Sequence, residues 1–100
     1  MAVLYIAEYD RLATDLNGRP ILAGNEPPIA EQTVAIGATS TASSAFNSQT
    51  RYVQVHTDAI CHVLFGKAPT ATTGKQRMPA DQTVFKAVTP GDKVAVIEGT

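Results

Sequence analysis

Apolar and polar residues alternate along short segments of this chain, a pattern that predicts β-strands. The clearest segment is 51–56, in which Val53 and Val55 point to one face and polar residues to the other. Residues 59–65 follow after a tight turn, and both faces of that run are largely apolar. The second run is therefore predicted to be a central strand, or one whose outer face meets a partner.

A hairpin is predicted near the end of the sequence. Runs at 83–88 and 93–97 flank the tetrapeptide Thr-Pro-Gly-Asp at 89–92. Pro at its second position and Gly at its third fit a type II turn, which needs a positive φ at the third residue. Val94 and Val96 are expected to face inward.

The first half of the chain carries weaker signals. Strands are predicted at 3–9 and 33–36, with a short one at 44–46. Residues 7–16 could instead form one or two helical turns. Two stretches, 22–30 and 67–78, are predicted to be long irregular loops; the first contains a Pro-Pro pair, which removes two backbone donors.

Short strands separated by evenly spread Pro and Gly are typical of an all-β fold. We predict one β domain over residues 1–100, a small antiparallel β-sandwich or jelly-roll-like barrel with two long loops. Residues 1–10 are a possible partner-contacting arm that could add a strand to a neighbour's edge. Partner contacts are expected on the arm and the loops, at Tyr5, Tyr9, Pro27, Pro28, Pro69, Thr70 and Thr72.

Charge and size favour a protein partner. The sequence has eight basic and nine acidic residues, and the basic residues do not cluster. It therefore lacks the basic surface that a nucleic-acid-binding protein needs. Charged residues make up 17% of the 100 residues, and a short chain with so few charges suits lasting contact with other subunits. The apolar N-terminus is short and has no basic leader, so neither a signal peptide nor a membrane span is predicted.

Candidate chemistry is confined to one short stretch. His56, Asp58, Cys61 and His62 could form a metal cluster, but adjacent residues 61 and 62 of a strand point to opposite faces. We therefore interpret Cys61 as a small core residue and both histidines as surface or interface groups. No catalytic, cofactor-binding or metal-binding residue is predicted, and the single cysteine permits no intrachain disulfide.

Three further interpretations concern single side chains. Glu8 and Asp10 are predicted to be a solvated edge that discourages aggregation. Phe65 and Phe85 are predicted core anchors. For Tyr5 and for Tyr9, a core position and an interface position are equally favoured.

Three segments carry a resemblance to a known class of protein. They are Arg-Tyr-Val-Gln-Val-His-Thr-Asp-Ala at 51–59, Phe-Gly-Lys-Ala-Pro-Thr-Ala-Thr at 65–72 and Thr-Pro-Gly-Asp-Lys-Val-Ala-Val-Ile at 89–97. Over residues 33–97 the chain resembles small proteins encoded among the virion genes of tailed bacteriophages. The shared motifs are strands and turns and mark no active site.

The resemblance implies a β-sandwich carried on the phage particle, made in the host cytoplasm. The first expectation is a capsid decoration (cement) protein that forms trimers or dimers and binds the major capsid protein on the capsid surface. A head–tail joining or tail-associated protein is the alternative. A carbohydrate-binding module on a fibre would need aromatic and amide groups in a groove, with Tyr52, Gln54 and His56 as candidates. A metal-dependent enzyme is the least favoured.

Overall fold

The structure, a computed structural model, describes residues 2–14, 16–24 and 27–99. Every regular element in these ranges is a β-strand, which confirms the predicted all-β fold. The strands are β1 (Val3–Tyr9), β2 (Leu12–Thr14), β3 (Pro20–Gly24), β4 (Ala30–Ala35), β5 (Thr41–Ala42), β6 (Tyr52–Thr57), β7 (Cys61–Gly66), β8 (Gln76–Met78), β9 (Thr83–Ala87) and β10 (Lys93–Glu98).

Eight of the strands form two antiparallel sheets. The first sheet has the order β4-β1-β6-β9 and the second sheet has the order β5-β10-β7-β8. Strands β2 and β3 pair only with each other and form a separate two-stranded ribbon. The architecture is a small β-sandwich, one of the two that the sequence predicts.

The core lies between the two sheets and follows the predicted alternation. Val53 and Val55 of β6 and Val94 and Val96 of β10 are fully buried. Burial of each such side chain contributes about 1.5–3 kcal/mol. The core cluster comprises Leu4, Ile6, Val34, Ile36, Phe46, Val53, Val55, Cys61, Val63, Met78, Val94 and Val96.

The predicted hairpin over 83–97 is wrong, although both of its strands exist. β9 pairs with β6 in the first sheet, whereas β10 lies between β5 and β7 in the second. The intervening turn has Gly91 at φ 88°, as its type requires. This turn therefore carries the chain from one sheet to the other instead of reversing it within a sheet.

Other element boundaries also differ from the prediction. Residues 44–46 are not a strand; the short strand is β5, which pairs with β10. Residues 7–9 and 12–14 are extended, so a helical turn over 7–16 is wrong for the described residues. The first predicted loop, 22–30, overlaps β3, which ends at Gly24, and the second, 67–78, contains β8 in its last three residues. Five positions lie outside the described residues. They are Met1 in the predicted arm, Asp15 in the alternative helical segment, Asn25 and Glu26 in the first predicted loop, and Thr100 at the end of the predicted domain.

The N-terminal segment is a central strand and not a free arm. β1 pairs with β4 on one side and with β6 on the other, so both of its edges are already used within the chain. The Val3 backbone N–H also donates to Oδ1 of Asp58 at 2.7 Å. Strand addition to a neighbour by these residues would first have to break this sheet, and deleting 1–9 would remove part of the core.

Candidate functional site

The most distinctive surface is the solvent-facing side of the first sheet, here called the binding face. Its side chains alternate with those of the core, since neighbouring residues of a strand point to opposite faces. The name binding face refers to two of these outward side chains from each of the four strands. The binding face consists of Glu31 and Thr33 from β4, Tyr5 and Ala7 from β1, Gln54 and His56 from β6, and Thr83 and Phe85 from β9.

The register of the strands arranges these side chains in two rows. Tyr5 is opposite Thr33 and His56, whereas Ala7 is opposite Glu31 and Gln54. The short Ala7 side chain among longer neighbours leaves an open depression of about 350 Å³. Its lining consists of Tyr5, Ile6, Ala7, Glu31, Gln32, Thr33, Gln54 and His56.

Two aromatic side chains stand on the binding face. Tyr5 is 48% exposed and Phe85 is 54% exposed. The Tyr5 ring lies 6.3 Å from the His56 ring, centroid to centroid, with an interplanar angle of 43°. Nδ1 of His56 is 2.8 Å from Oγ1 of Thr83, a hydrogen bond that fixes the imidazole and leaves Nε2 as its other polar atom.

Tyr9 supports the end of this surface and is not an exposed contact residue. It is 4% exposed and stacks on Tyr52 with ring centroids 5.4 Å apart and an interplanar angle of 16°. The Tyr52 hydroxyl donates to the Arg11 carbonyl at 2.9 Å, next to the start of the ribbon. Of the two tyrosines divided between core and interface, Tyr9 is therefore packed and Tyr5 is accessible.

The residues predicted to contact partners do not come together in one place. Tyr5 is on the binding face. Pro27, which is exposed, and Pro28, which is half-buried, precede the edge strand β4. The remaining three lie in the loop 67–75, which belongs to the second sheet. They are Pro69, which is half-buried, and Thr70 and Thr72, which are exposed.

The loop 67–75 lies across the outer side of the second sheet. The Ala71 N–H donates to Oγ of Ser40 at 2.8 Å, and Nδ1 of His62 is 3.0 Å from the Lys75 carbonyl, to which it donates. Ala95, on the outer side of β10, is fully buried. His62 is 7% exposed, so the prediction that it is a surface or interface group is wrong: Lys75 accepts its hydrogen bond and Gly99 lies against its ring.

Cys61 is a fully buried core residue, as predicted. Burial raises the pKa of its thiol; its hydrogen bond to Oγ1 of Thr57, at 3.5 Å, opposes this increase, and the negative charge of Asp58 adds to it. Among the described residues, no three His, Cys, Asp or Glu side chains are placed to hold a metal ion. His56 lies on the opposite side of the sandwich from His62.

Glu8 does not form the predicted solvated edge. It is 3% exposed, because it shares the inward phase of Leu4 and Ile6. Its Oε1 accepts from the Asn47 N–H and the Thr50 hydroxyl, each at 2.8 Å. Its Oε2 accepts from Nε2 of Gln32 at 3.3 Å. A carboxylate so fully hydrogen-bonded inside the protein has a structural role.

Phe85 is exposed instead of anchoring the core, so the prediction for this residue is wrong. Phe65, by contrast, is partly buried and packs against the core cluster. Sequence reasoning named Gln54 and His56 for a sugar site but missed Glu31 and Phe85. The alternation of faces along a strand could have identified them. Glu31 is two residues from the polar Thr33 and Phe85 is two residues from the polar Thr83, so each shares the solvent-facing side with that threonine.

No family model, curated protein or solved structure matches this chain. Within the part of the chain that the structure describes, a helix of the length and apolarity needed to cross a membrane is not found.

Proposed function

We propose that this protein is a non-enzymatic structural component of a tailed-phage particle, a capsid decoration (cement) protein that binds the lattice of the major capsid protein. The observation that carries the proposal is the loop 67–75, which is held by hydrogen bonds at its middle, Ala71, and at its last residue, Lys75, and which exposes Thr70 and Thr72 beside the half-buried Pro69. Part of the loop belongs to the segment 65–72, on which the resemblance to phage virion proteins rests.

A tethered loop suits this role for a physical reason. Binding costs about 0.5–1.5 kcal/mol for each flexible side chain that it immobilises, and more for a loop that must become ordered. Hydrogen bonds to Ser40 and His62 fix the position of this loop before any partner arrives. Most of the binding energy then remains for the contact itself.

Capsid decoration adds a second requirement, namely preference for the assembled shell. A protein that contacts two adjacent capsid subunits, or that binds as a dimer or trimer, gains avidity on the lattice that separate subunits do not offer. We accordingly propose a homo-oligomer on the outer surface of the virion, made in the host cytoplasm.

The location within intact particles tests the proposal. Electron microscopy of particles carrying a labelled copy of this protein is expected to show a uniform covering of the shell. A few copies at one vertex or along the tail would contradict capsid decoration and support the head–tail or tail alternative.

A pair of loop variants tests the contact surface. Thr70→Glu places a charge on the exposed loop and is expected to reduce binding to undecorated capsids at least tenfold. The matched control, Thr89→Glu, alters an exposed threonine at the first position of the β9–β10 turn and is expected to bind normally. Equal binding by both variants would exclude the loop from the interface.

A further inference from the structure

We infer that the binding face holds a site for a neutral oligosaccharide, centred on the depression over Ala7. The inference goes beyond capsid decoration and does not depend on it. The site is on the first sheet, whereas the loop 67–75 covers the second sheet, so both surfaces can be occupied at the same time.

The aromatic side chains provide the apolar part of such a site. Small-molecule sites are lined mainly by apolar and aromatic groups, with a few polar groups that fix orientation. A sugar ring has an apolar side made of C–H groups, which can lie against an aromatic ring. Tyr5 lines the depression and is half exposed, and Phe85 extends the surface beyond Gln54.

The polar side chains provide both donors and acceptors. Sugar hydroxyls donate and accept hydrogen bonds, and so does the Gln54 amide, while the Glu31 carboxylate accepts. These two residues lie on opposite sides of Ala7, on the strands that flank β1, with their Cα atoms roughly 10 Å apart across two strand spacings. The His56 imidazole adds a third polar group at the same depression, through its Nε2 atom.

Size agrees with this class of ligand. The depression of about 350 Å³ lies near the lower end of the volumes of small-molecule sites, about 300–1,000 Å³. It is open to solvent, so that a sugar chain could continue beyond the bound ring towards Phe85.

Charge selects a neutral ligand over an acidic one. Of the eight residues that define the binding face, only Glu31 is a carboxylate, and none is Lys or Arg. Phosphorylated ligands and uronic acids therefore find no cation here, and Glu31 repels them.

The test is a titration of the ¹⁵N-labelled full chain, followed by NMR. The probes are maltotriose, cellotriose, mannotriose and tri-N-acetylchitotriose, with trigalacturonate as the acidic comparison. At least one neutral trisaccharide is expected to give saturable shifts concentrated at Tyr5, Ala7, Glu31, Gln54 and His56. Trigalacturonate is expected to bind at least tenfold more weakly.

Matched variants separate a specific site from surface association. Gln54→Ala is expected to weaken binding about fivefold to tenfold, whereas Gln76→Ala, an exposed glutamine on the second sheet, leaves it unchanged. Tyr5→Ala is expected to weaken binding roughly tenfold and Tyr5→Phe much less. Unfolding midpoints of all variants show whether each remains folded.

Three results would overturn the inference. They are the absence of saturable shifts with every neutral trisaccharide, equal binding by Gln54→Ala and Gln76→Ala, and equal affinity for trigalacturonate. Shifts on this face with undecorated capsids, but with none of the sugars, would likewise overturn it and make the face a protein interface. None of these results would by itself change the location expected for a capsid decoration protein.

Discussion

The hydroxyl of Thr50 donates a 2.8 Å hydrogen bond to Oε1 of Glu8, and both residues are buried. Glu8 lies on the central strand β1, whereas Thr50 precedes β6 in the segment that connects the two sheets. The same carboxylate accepts hydrogen bonds from Asn47 and Gln32, and Gln32 in turn accepts from the Ser44 N–H at 2.9 Å. A polar network around Glu8 therefore fixes the segment 44–50 against the first sheet.

Thr50→Val is expected to lower the free energy of unfolding by about 2 kcal/mol, because a hydrogen bond to a charged group contributes about 1.5–3 kcal/mol. The exposed Thr73→Val is the matched control and is expected to change stability by less than about 0.5 kcal/mol. Urea denaturation of both variants measures the difference. Equal effects would mean that the Glu8 network contributes little.

Two phenylalanines are expected to respond differently to the same substitution. Phe46 is 3% exposed in the core and Phe85 is 54% exposed on the binding face. Phe46→Ala should cost about 3–5 kcal/mol, because it removes buried apolar surface and leaves a cavity. Phe85→Ala should cost less than about 1 kcal/mol. A large loss from Phe85→Ala in a urea titration would place this ring inside the sandwich.

The raised pKa of Cys61 predicts a pH dependence of stability. In the folded state burial keeps the thiol protonated at a pH where the unfolded thiol, with a pKa of about 8.5, has lost its proton. The folded state then binds more protons, so the stabilisation is complete below about pH 8.5 and is lost as the pH rises through the higher folded pKa. Unfolding free energies measured between about pH 8 and pH 10 should therefore fall more steeply than those of Cys61→Ala. Identical slopes would contradict the shift.

The turn before β10 needs glycine. Gly91 has a φ of 88°, so Gly91→Ala should cost about 1–2 kcal/mol through the left-handed backbone alone. Gly66→Ala is the control, because Gly66 has no positive φ and an added Cβ meets no atom within 4 Å. Thermal unfolding should show a lower midpoint for the first variant only. A midpoint unchanged by Gly91→Ala would argue against the strained turn.

Lys86 is expected to protect the edge of the first sheet from association. β9 is an edge strand, and Lys86 is opposite the buried Val53, so its charge lies on the inward side of that edge. Inward-pointing charges on edge strands prevent pairing with another chain. Lys86→Val should increase the apparent mass in concentration-dependent light scattering, whereas Lys93→Val, on the interior strand β10, should not. An apparent mass that does not increase with Lys86→Val would mean that Lys86 does not protect this edge.

Local patterns predicted the strands well but not their neighbours. The alternation around Val53 and Val55 is visible in sequence because a half-buried strand repeats every two residues. The pairing of β9 with β6, and of β10 with β7, joins residues about thirty apart. A turn signal such as Pro-Gly specifies a reversal of direction but not whether the chain stays in the same sheet.

The sequence also did not show which residues of a strand face the core. In the run 83–88, Phe85 shares a face with Thr83, whereas the smaller Val84 lies opposite the buried Val55 and faces the core. Hydrophobicity alone favoured the larger side chain for the core. The pairing across strands decided otherwise.

The candidate site was only partly predictable for the same reason. Gln54 and His56 follow from the alternation in β6, but Tyr5 and Glu31 join them only because β1 lies between β4 and β6. His62 was predicted to be a surface or interface group because it points to the opposite face of its strand from the core residue Cys61. The contacts with Lys75 and Gly99 that bury it leave no local pattern in the sequence.

The path of the chain has a consequence for folding. From β4 onward every connection except that between β7 and β8 passes from one sheet to the other. Neither four-stranded sheet can therefore be assembled from one contiguous stretch of polypeptide. We expect a slow, all-or-none transition of the kind seen in domains with high contact order, and no stable fragment after limited proteolysis.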